Sequence, residues 1–125
     1  MMPVIMINLD YQNRSPIYEQ IVTTIENYVA LGILKPKEQI PSIRELASNL
    51  GINPNTVKKA YDILETKKII NTISTKGTFI SDKTNEVLET KKIEEIKKLN
   101  KQIDTLLNLG ITNQEIKNII NNKLK

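Results

Sequence analysis

Apolar residues recur through the first half of the chain at intervals of three and four, the spacing that keeps them on one side of an α-helix. In "SPIYEQIVTTIENYVALG" the positions Ile17, Ile21, Ile25 and Tyr28/Val29 follow this rhythm. Ser15 suits the N-cap, Pro16 the first helical position and Gly32 the stop, which predicts an amphipathic helix of about four turns. The following "ILKPKEQIP" has two prolines among polar residues and reads as a connecting loop. In "PSIRELASNLG" Ser42 and Glu45 have the spacing of a capping box, Ile43, Leu46, Ala47 and Leu50 form the apolar stripe, and Gly51 allows a tight turn. A further helix restarts at once, with Asn53 as N-cap, Pro54 at its first position and Val57, Ala60, Tyr61 and Leu64 facing inward.

After Lys68 the period changes. "IINTISTKGTFIS" is β-branched and interrupted by Ser74, Thr75, Lys76 and Gly77, the pattern of a two-stranded hairpin with Gly77 near its tip. Two strands alone are marginal, so the hairpin must lean on the helices. From Lys83 the spacing is helical again: Ile96, Leu99, Ile103 and Leu106 step by three, four and three, a short coiled-coil-like seam. Gly110 interrupts it, Thr112 and Glu115 make a second capping box, and Ile116, Ile119, Ile120 and Leu124 line a last amphipathic helix. No internal repeat or low-complexity tract is present.

Composition narrows the chemistry. The 125 residues include no Cys and no His, which excludes disulfides, thiolate metal sites and nucleophile–His catalysis. "MMPVIMINLDYQNRSP" lacks a basic start and a long apolar run, so it reads poorly as a signal peptide. Nothing approaches the roughly 20 apolar residues of a membrane span, and a soluble, cytoplasmic protein without membrane partners is expected. The net charge of +4 arises from 18 basic and 14 acidic residues, 16 of the basic ones being Lys. Up to Asp82 there are 9 basic and 8 acidic residues, and beyond it 9 and 6. Charge is therefore not concentrated in the first part, and any case for nucleic acid rests on local placement.

Helix, glycine turn and polar-capped second helix is the helix-turn-helix arrangement, in which the first helix supports the second against DNA. With Val57, Ala60, Tyr61 and Leu64 inward and about 100° per residue, the opposite face centres on Asn55, Lys59 and Asp62, flanked by Thr56 and Lys58. Asn can contact adenine bidentately, while Thr and Lys suit phosphates, guanine or a thymine methyl. Asp62 has two readings: it accepts from a cytosine amino group, or it pairs with Lys58 or Lys59. Arg44, off the apolar stripe of its helix, is a candidate phosphate or guanine contact, against a surface pairing with Glu45 or Ser48. The bland reading of the whole face is a cap residue among solvated lysines. Glu19, Glu26 and Glu45 fall on helix faces or in caps without a convergent acid–base pair, so no enzyme is expected. With no glycine-rich phosphate loop and no metal-ligand cluster, no cofactor and no metal are expected either.

"LKPKEQIPSIRELASNLGINPNTVKKAYDILETKKIINTISTKGTFI" resembles the winged helix-turn-helix domain of GntR-type transcription regulators. The family pattern runs from "pG-x-x-LPS-x-R-x-LA" through "v-x-x-nTv-x-x-AY-x-x-L" to a "G-x-G-x-fV" wing, and the likeness covers residues 11–81. The resemblance implies that Arg44, Thr56, Lys58 and Gly77 lie at family DNA-contact positions, with Asn55 and Lys76 beside them. "NPNTVKKAYDIL" and the short helical tail look like the YtrA-like branch, which lacks the large ligand-binding domain of most relatives. Two departures stand out. Ser74 and Thr75 occupy the places of a common Arg and the first wing glycine, and Lys37 replaces the usual glycine of the loop before the second helix. A less basic and less free wing tip follows.

The expected fold is mainly α: a winged helix-turn-helix of three helices plus a two-stranded β-hairpin wing over residues 1–82, then a small helical dimerisation tail over 83–125. Ile96, Leu99, Ile103, Leu106, Ile116, Ile119 and Ile120, with Leu107 and Ile111, form more apolar surface than two isolated helices bury, so a homodimer is expected. The function these features imply is a sequence-specific DNA-binding transcription regulator, a repressor. It would bind double-stranded DNA at a near-palindromic operator with the helix from Pro54 in the major groove. The alternative is a winged-helix protein-interaction module whose basic face is merely soluble surface. A small molecule could sit between tail helices, and the sequence names none.

Overall fold

The structure is a computed structural model that describes residues 7–125. The first six residues, part of the stretch that argues against a signal peptide, lie outside the described residues. The elements are α1 (Ile17–Ala30), β1 (Gln39–Ile40), α2 (Ile43–Leu50), α3 (Pro54–Thr66), β2 (Ile70–Ile73), β3 (Gly77–Ile80), α4 (Thr84–Asn108) and α5 (Asn113–Lys123). They form two compact units, one ending at Leu88 and one spanning Glu89–Lys125, so the division falls inside α4.

The first unit is built on the apolar stripes. Ile21, Ile25 and Val29 of α1, Leu46 and Ala47 of α2, and Val57, Ala60, Tyr61 and Leu64 of α3 are buried together. Ile69, Ile70 and Ile80 close the core from the base of the hairpin, and Ile7, Leu34, Ile40 and Leu88 complete it. Ile17, Tyr28, Ile43 and Leu50, also on the expected stripes, pack partly buried against its edge. Burying a Leu, Ile or Val side chain contributes roughly 1.5–3 kcal/mol, so these stripes supply the main driving force for the unit.

Two local expectations are corrected. Pro16 occupies the N-cap of α1, with extended ψ of 153°, and the helix starts one residue later at Ile17 without a side-chain cap. Gln20 does the fastening instead: its amide nitrogen donates to the carbonyls of Asp10 (2.9 Å) and Ser15 (3.0 Å), and its Oε1 accepts from the Asp10 amide (2.9 Å). The segment read as a plain loop also contributes a strand. Gln39 and Ile40 pair antiparallel with Phe79 and Thr78, so the hairpin becomes a three-stranded sheet of order β1-β3-β2. Pro36 and Pro41 leave too few residues between them for any alternation to be legible, yet Ile40 is buried and its strand gives the hairpin the third partner it needs.

Among the described residues, three non-glycine residues adopt positive φ: Lys37 (71°), Lys68 (64°) and Thr75 (71°). Lys37 and Thr75 are the two positions where the family pattern has glycine. The backbone keeps the left-handed turn although the residue has changed, at a cost of roughly 1–2 kcal/mol each for an L-residue.

In the second unit, Thr112 and Glu115 form the expected capping box at the start of α5. Among the described residues of Glu89–Lys125, Ile116 alone is buried. Ile103, Leu106 and Ile111 are half-buried, whereas Ile96 (57%), Leu99 (55%) and Ile119 (59%) are largely exposed, as are Leu107, Ile120 and also Ile93, which extends the seam one turn earlier than the spacing suggested. Among the described residues no helix is long and apolar enough to cross a membrane.

Candidate nucleic-acid interface

The turn between α2 and α3 positions the display. Ser42 Oγ accepts from the Glu45 amide at 3.1 Å while the Glu45 carboxylate accepts from the Ser42 amide, closing the capping box and fixing the start of α2. At the other end Gly51 takes φ of 66°, which lets the Ile52 amide reach back to the Ala47 carbonyl (3.0 Å) and the chain reverse within three residues. Asn53 Oδ1 then accepts from the Asn55 amide at 2.8 Å, and α3 begins.

Tyr61 locks α3 in place. Its hydroxyl donates to the Pro41 carbonyl at 2.7 Å, a buried bond that ties the middle of α3 to the entry of α2. Burial pushes the phenol pKa well above its ordinary 10.0, and the negative charge of Glu45 adds to the rise.

Over this buried back, Asn55, Lys58, Lys59 and Asp62 are exposed and Thr56 is half-buried. The adjacent lysines diverge. Lys58 Nζ lies 2.8 Å from Asp62 Oδ2, and this hydrogen bond, with the carboxylate's charge, raises the Lys58 pKa. Lys59 instead stands over the ring of Tyr18 on α1, 4.0 Å from its centroid, a cation–π contact. Of the two sequence readings for Asp62, the pairing with Lys58 is present. Arg44 is exposed on α2, and Glu45 is engaged in the capping box rather than paired with it.

Lys76 ends the turn between β2 and β3, and Gly77 opens β3. Gln39 supports that turn: its side-chain nitrogen donates to the Lys76 carbonyl at 3.1 Å. A Cβ on Gly77 would meet that same nitrogen at 2.6 Å, a contact the flexible end of Gln39 can relieve by shifting, so it is the φ of 124° that calls for glycine. Gln39 and Tyr18 were not singled out from sequence. Nothing in a supposed loop marked Gln39, and Tyr18 read as one more position of an amphipathic helix. Among the described residues no group of three or more His, Cys, Asp or Glu side chains could hold a metal ion.

Residues 17–80 match the model of the bacterial regulatory proteins of the gntR family. The chain belongs to the gntR family. It is 43% identical over 98 residues to the HTH-type transcriptional repressor YtrA of Bacillus subtilis (strain 168), a match covering 78% of this chain and 75% of that protein. Among solved structures, a transcriptional regulator from Oenococcus oeni shares 39% identity with a TM-score of 0.75, covering 94% of this chain and 98% of its own. YtrA from Sulfolobus acidocaldarius, a GntR-family transcription factor, shares 35% identity with a TM-score of 0.58, covering 73% and 97%. The gntR winged helix accounts for α1 to β3, and the likeness to the Oenococcus oeni regulator extends over nearly the whole chain.

Proposed function

We propose that this gntR protein is a transcriptional repressor that binds a near-palindromic operator as a homodimer, with α3 of each copy in the major groove. As a member of its family it is a DNA-binding regulator of transcription. The observation that carries the finer reading is the front of α3: Asn55, Lys58, Lys59 and Asp62 stand exposed around its first turns while Val57, Ala60, Tyr61 and Leu64 hold its back in the core.

In this reading residues 1–82 bind DNA and residues 83–125 pair. Asn55 reads a base edge, Thr56 and Lys59 take phosphates, Arg44 takes a phosphate or guanine from α2, and Lys76 and Gly77 bring the wing to the backbone. The exposed seam of Ile96, Leu99, Ile119 and Ile120, flanked by the half-buried Ile103 and Leu106, supports pairing with a second copy, while Ile116, expected in the seam, is buried within its own copy. Two modules then span half-sites roughly 34 Å apart. The protein acts in the cytoplasm, where its DNA lies, and carries out no catalysis.

Retention of genomic fragments on the intact protein tests this. Enriched fragments should share a near-palindromic site whose binding weakens steeply with salt, as phosphate contacts release counterions. If no duplex is retained at low salt, the operator reading fails and a protein-interaction role takes its place.

A further inference from the structure

We propose that Asp62 is a specificity-determining residue, and that the Lys58–Asp62 pair reads one G·C base pair as a unit. The inference rests on the operator reading above. Asp62 follows Asn55 by seven residues, so both point the same way from α3. A carboxylate at that place opposes a polyanion wherever it fails to meet a donor. The donors available on base edges in the major groove are the amino groups of cytosine and adenine.

Complementarity selects between them. Lys58 Nζ and Asp62 Oδ2 are 2.8 Å apart. The guanine O6 and cytosine N4 of one base pair are hydrogen-bonded to each other and thus separated by about 2.9 Å. The ammonium can therefore donate to O6 while the carboxylate accepts from N4, edge against edge. Guanine N7, next to O6, offers a second acceptor to the Lys58 protons not used by Asp62. The same pair laid on A·T again finds a donor in adenine N6 and an acceptor in thymine O4, but its flanks are unfavourable: the acceptor N7 lies beside the carboxylate and repels it, and the thymine methyl, not a second acceptor, lies beside the ammonium. G·C is favoured on both flanks. Both side chains are more than half exposed, so the ion pair adds little to folding and is free to meet the groove.

The pairing also restrains non-specific binding. While Lys58 is held by Asp62, the two charges cancel and Lys58 is not spent on a phosphate. Removing the carboxylate frees it to grip any backbone.

The experiment selects sites from a duplex pool randomised around the wild-type operator, using the intact wild type, Asp62→Ala and Asp62→Asn. Melting curves verify that the variants fold. Wild type should show one G·C position per half-site whose preference falls roughly five- to hundred-fold in Asp62→Ala. The same variant should bind unrelated duplex more tightly, with a salt dependence steeper by about one phosphate contact per copy. Asp62→Asn should shift the preference at that position away from G·C, because the amide adds a donor where only acceptance is wanted. Identical preferences and salt slopes in wild type and Asp62→Ala, or an affected position occupied by A·T, overturn the inference and leave the operator reading intact. Failure of wild type itself to retain duplex overturns both.

Discussion

Replacing Tyr61 with Phe removes one oxygen and isolates what the hydroxyl does. In the wild type that hydroxyl donates to the Pro41 carbonyl at 2.7 Å, with both residues buried. Phe preserves the ring packing and leaves the carbonyl without its donor, which costs about 1–3 kcal/mol. For a unit of this size each kcal/mol moves the melting temperature by about 4–8 °C. Urea unfolding should show a lower midpoint with an unchanged slope, because the surface exposed on unfolding is the same. The pH dependence gives an independent check. Tyr61 has a folded pKa raised above its ordinary 10.0 by burial, so its protonation stabilises the native state fully below that value and progressively less as pH rises beyond it. The unfolded phenol ionises first. At pH 11 the wild type should therefore have lost on the order of 1 kcal/mol that the Phe variant, lacking this proton, retains. The other tyrosines are common to both proteins and cancel in the difference. Equal midpoints at neutral pH, or a gap between the two proteins that stays constant from pH 9 to 11, would refute the buried-bond account.

Other perturbations test separate links. Thr75→Gly should stabilise the wing unit by up to about 1 kcal/mol, since a β-branched residue at φ of 71° gives way to one without strain; a lower melting temperature would contradict this. Tyr18→Leu removes the cation–π contact with Lys59, worth about 0.5–1 kcal/mol at an exposed site, and should weaken operator binding without changing the preferred sequence. A changed preference in site selection would show that Lys59 reads bases. Leu99→Asp puts a charge into the exposed seam and should yield a species of 14.3 kDa by sedimentation at micromolar concentration, whereas wild type should sediment as a dimer. A monomeric wild type, or a variant that still pairs, rules out this face as the interface.

The helical part of the fold was legible because its signals repeat. Val57, Ala60, Tyr61 and Leu64 announce one face of α3 several times over, and Ser42 with Glu45 or Thr112 with Glu115 mark helix starts by a chemistry that survives into the structure. What stayed hidden were single, non-periodic contacts. The strand Gln39–Ile40 is too short to alternate, and its partners lie some 40 residues on. The grip of Gln20 on Asp10 and Ser15, which shifted the start of α1, depends on the path of the preceding chain rather than on helix spacing. For the front of α3, periodicity identified which residues are outside but not how neighbours divide. Lys58 and Lys59 look equivalent in sequence. One turns to Asp62 and the other to Tyr18, and the second choice requires knowing where α1 crosses α3.

That division bears on why the tail matters. Through Asp82 the chain has only 9 basic residues against 8 acidic ones, and two of the basic ones are ion-paired. Lys58 is held by Asp62, and Lys67 lies 3.5 Å from the buried Glu26 carboxylate. On the proposed reading a single copy would neutralise few phosphates, and because log K grows in proportion to the number neutralised, its grip on arbitrary DNA should be weak at physiological salt. Adding lysines would strengthen binding everywhere and leave discrimination unchanged. Pairing two copies doubles both phosphate and base contacts, but the base contacts are satisfied together only where two half-sites have the right spacing and symmetry. In the proposed homodimer, a module with this little surplus charge would gain a useful ratio of specific to non-specific binding by being doubled, and the exposed apolar seam of Ile96 and Leu99 is the face proposed to double it.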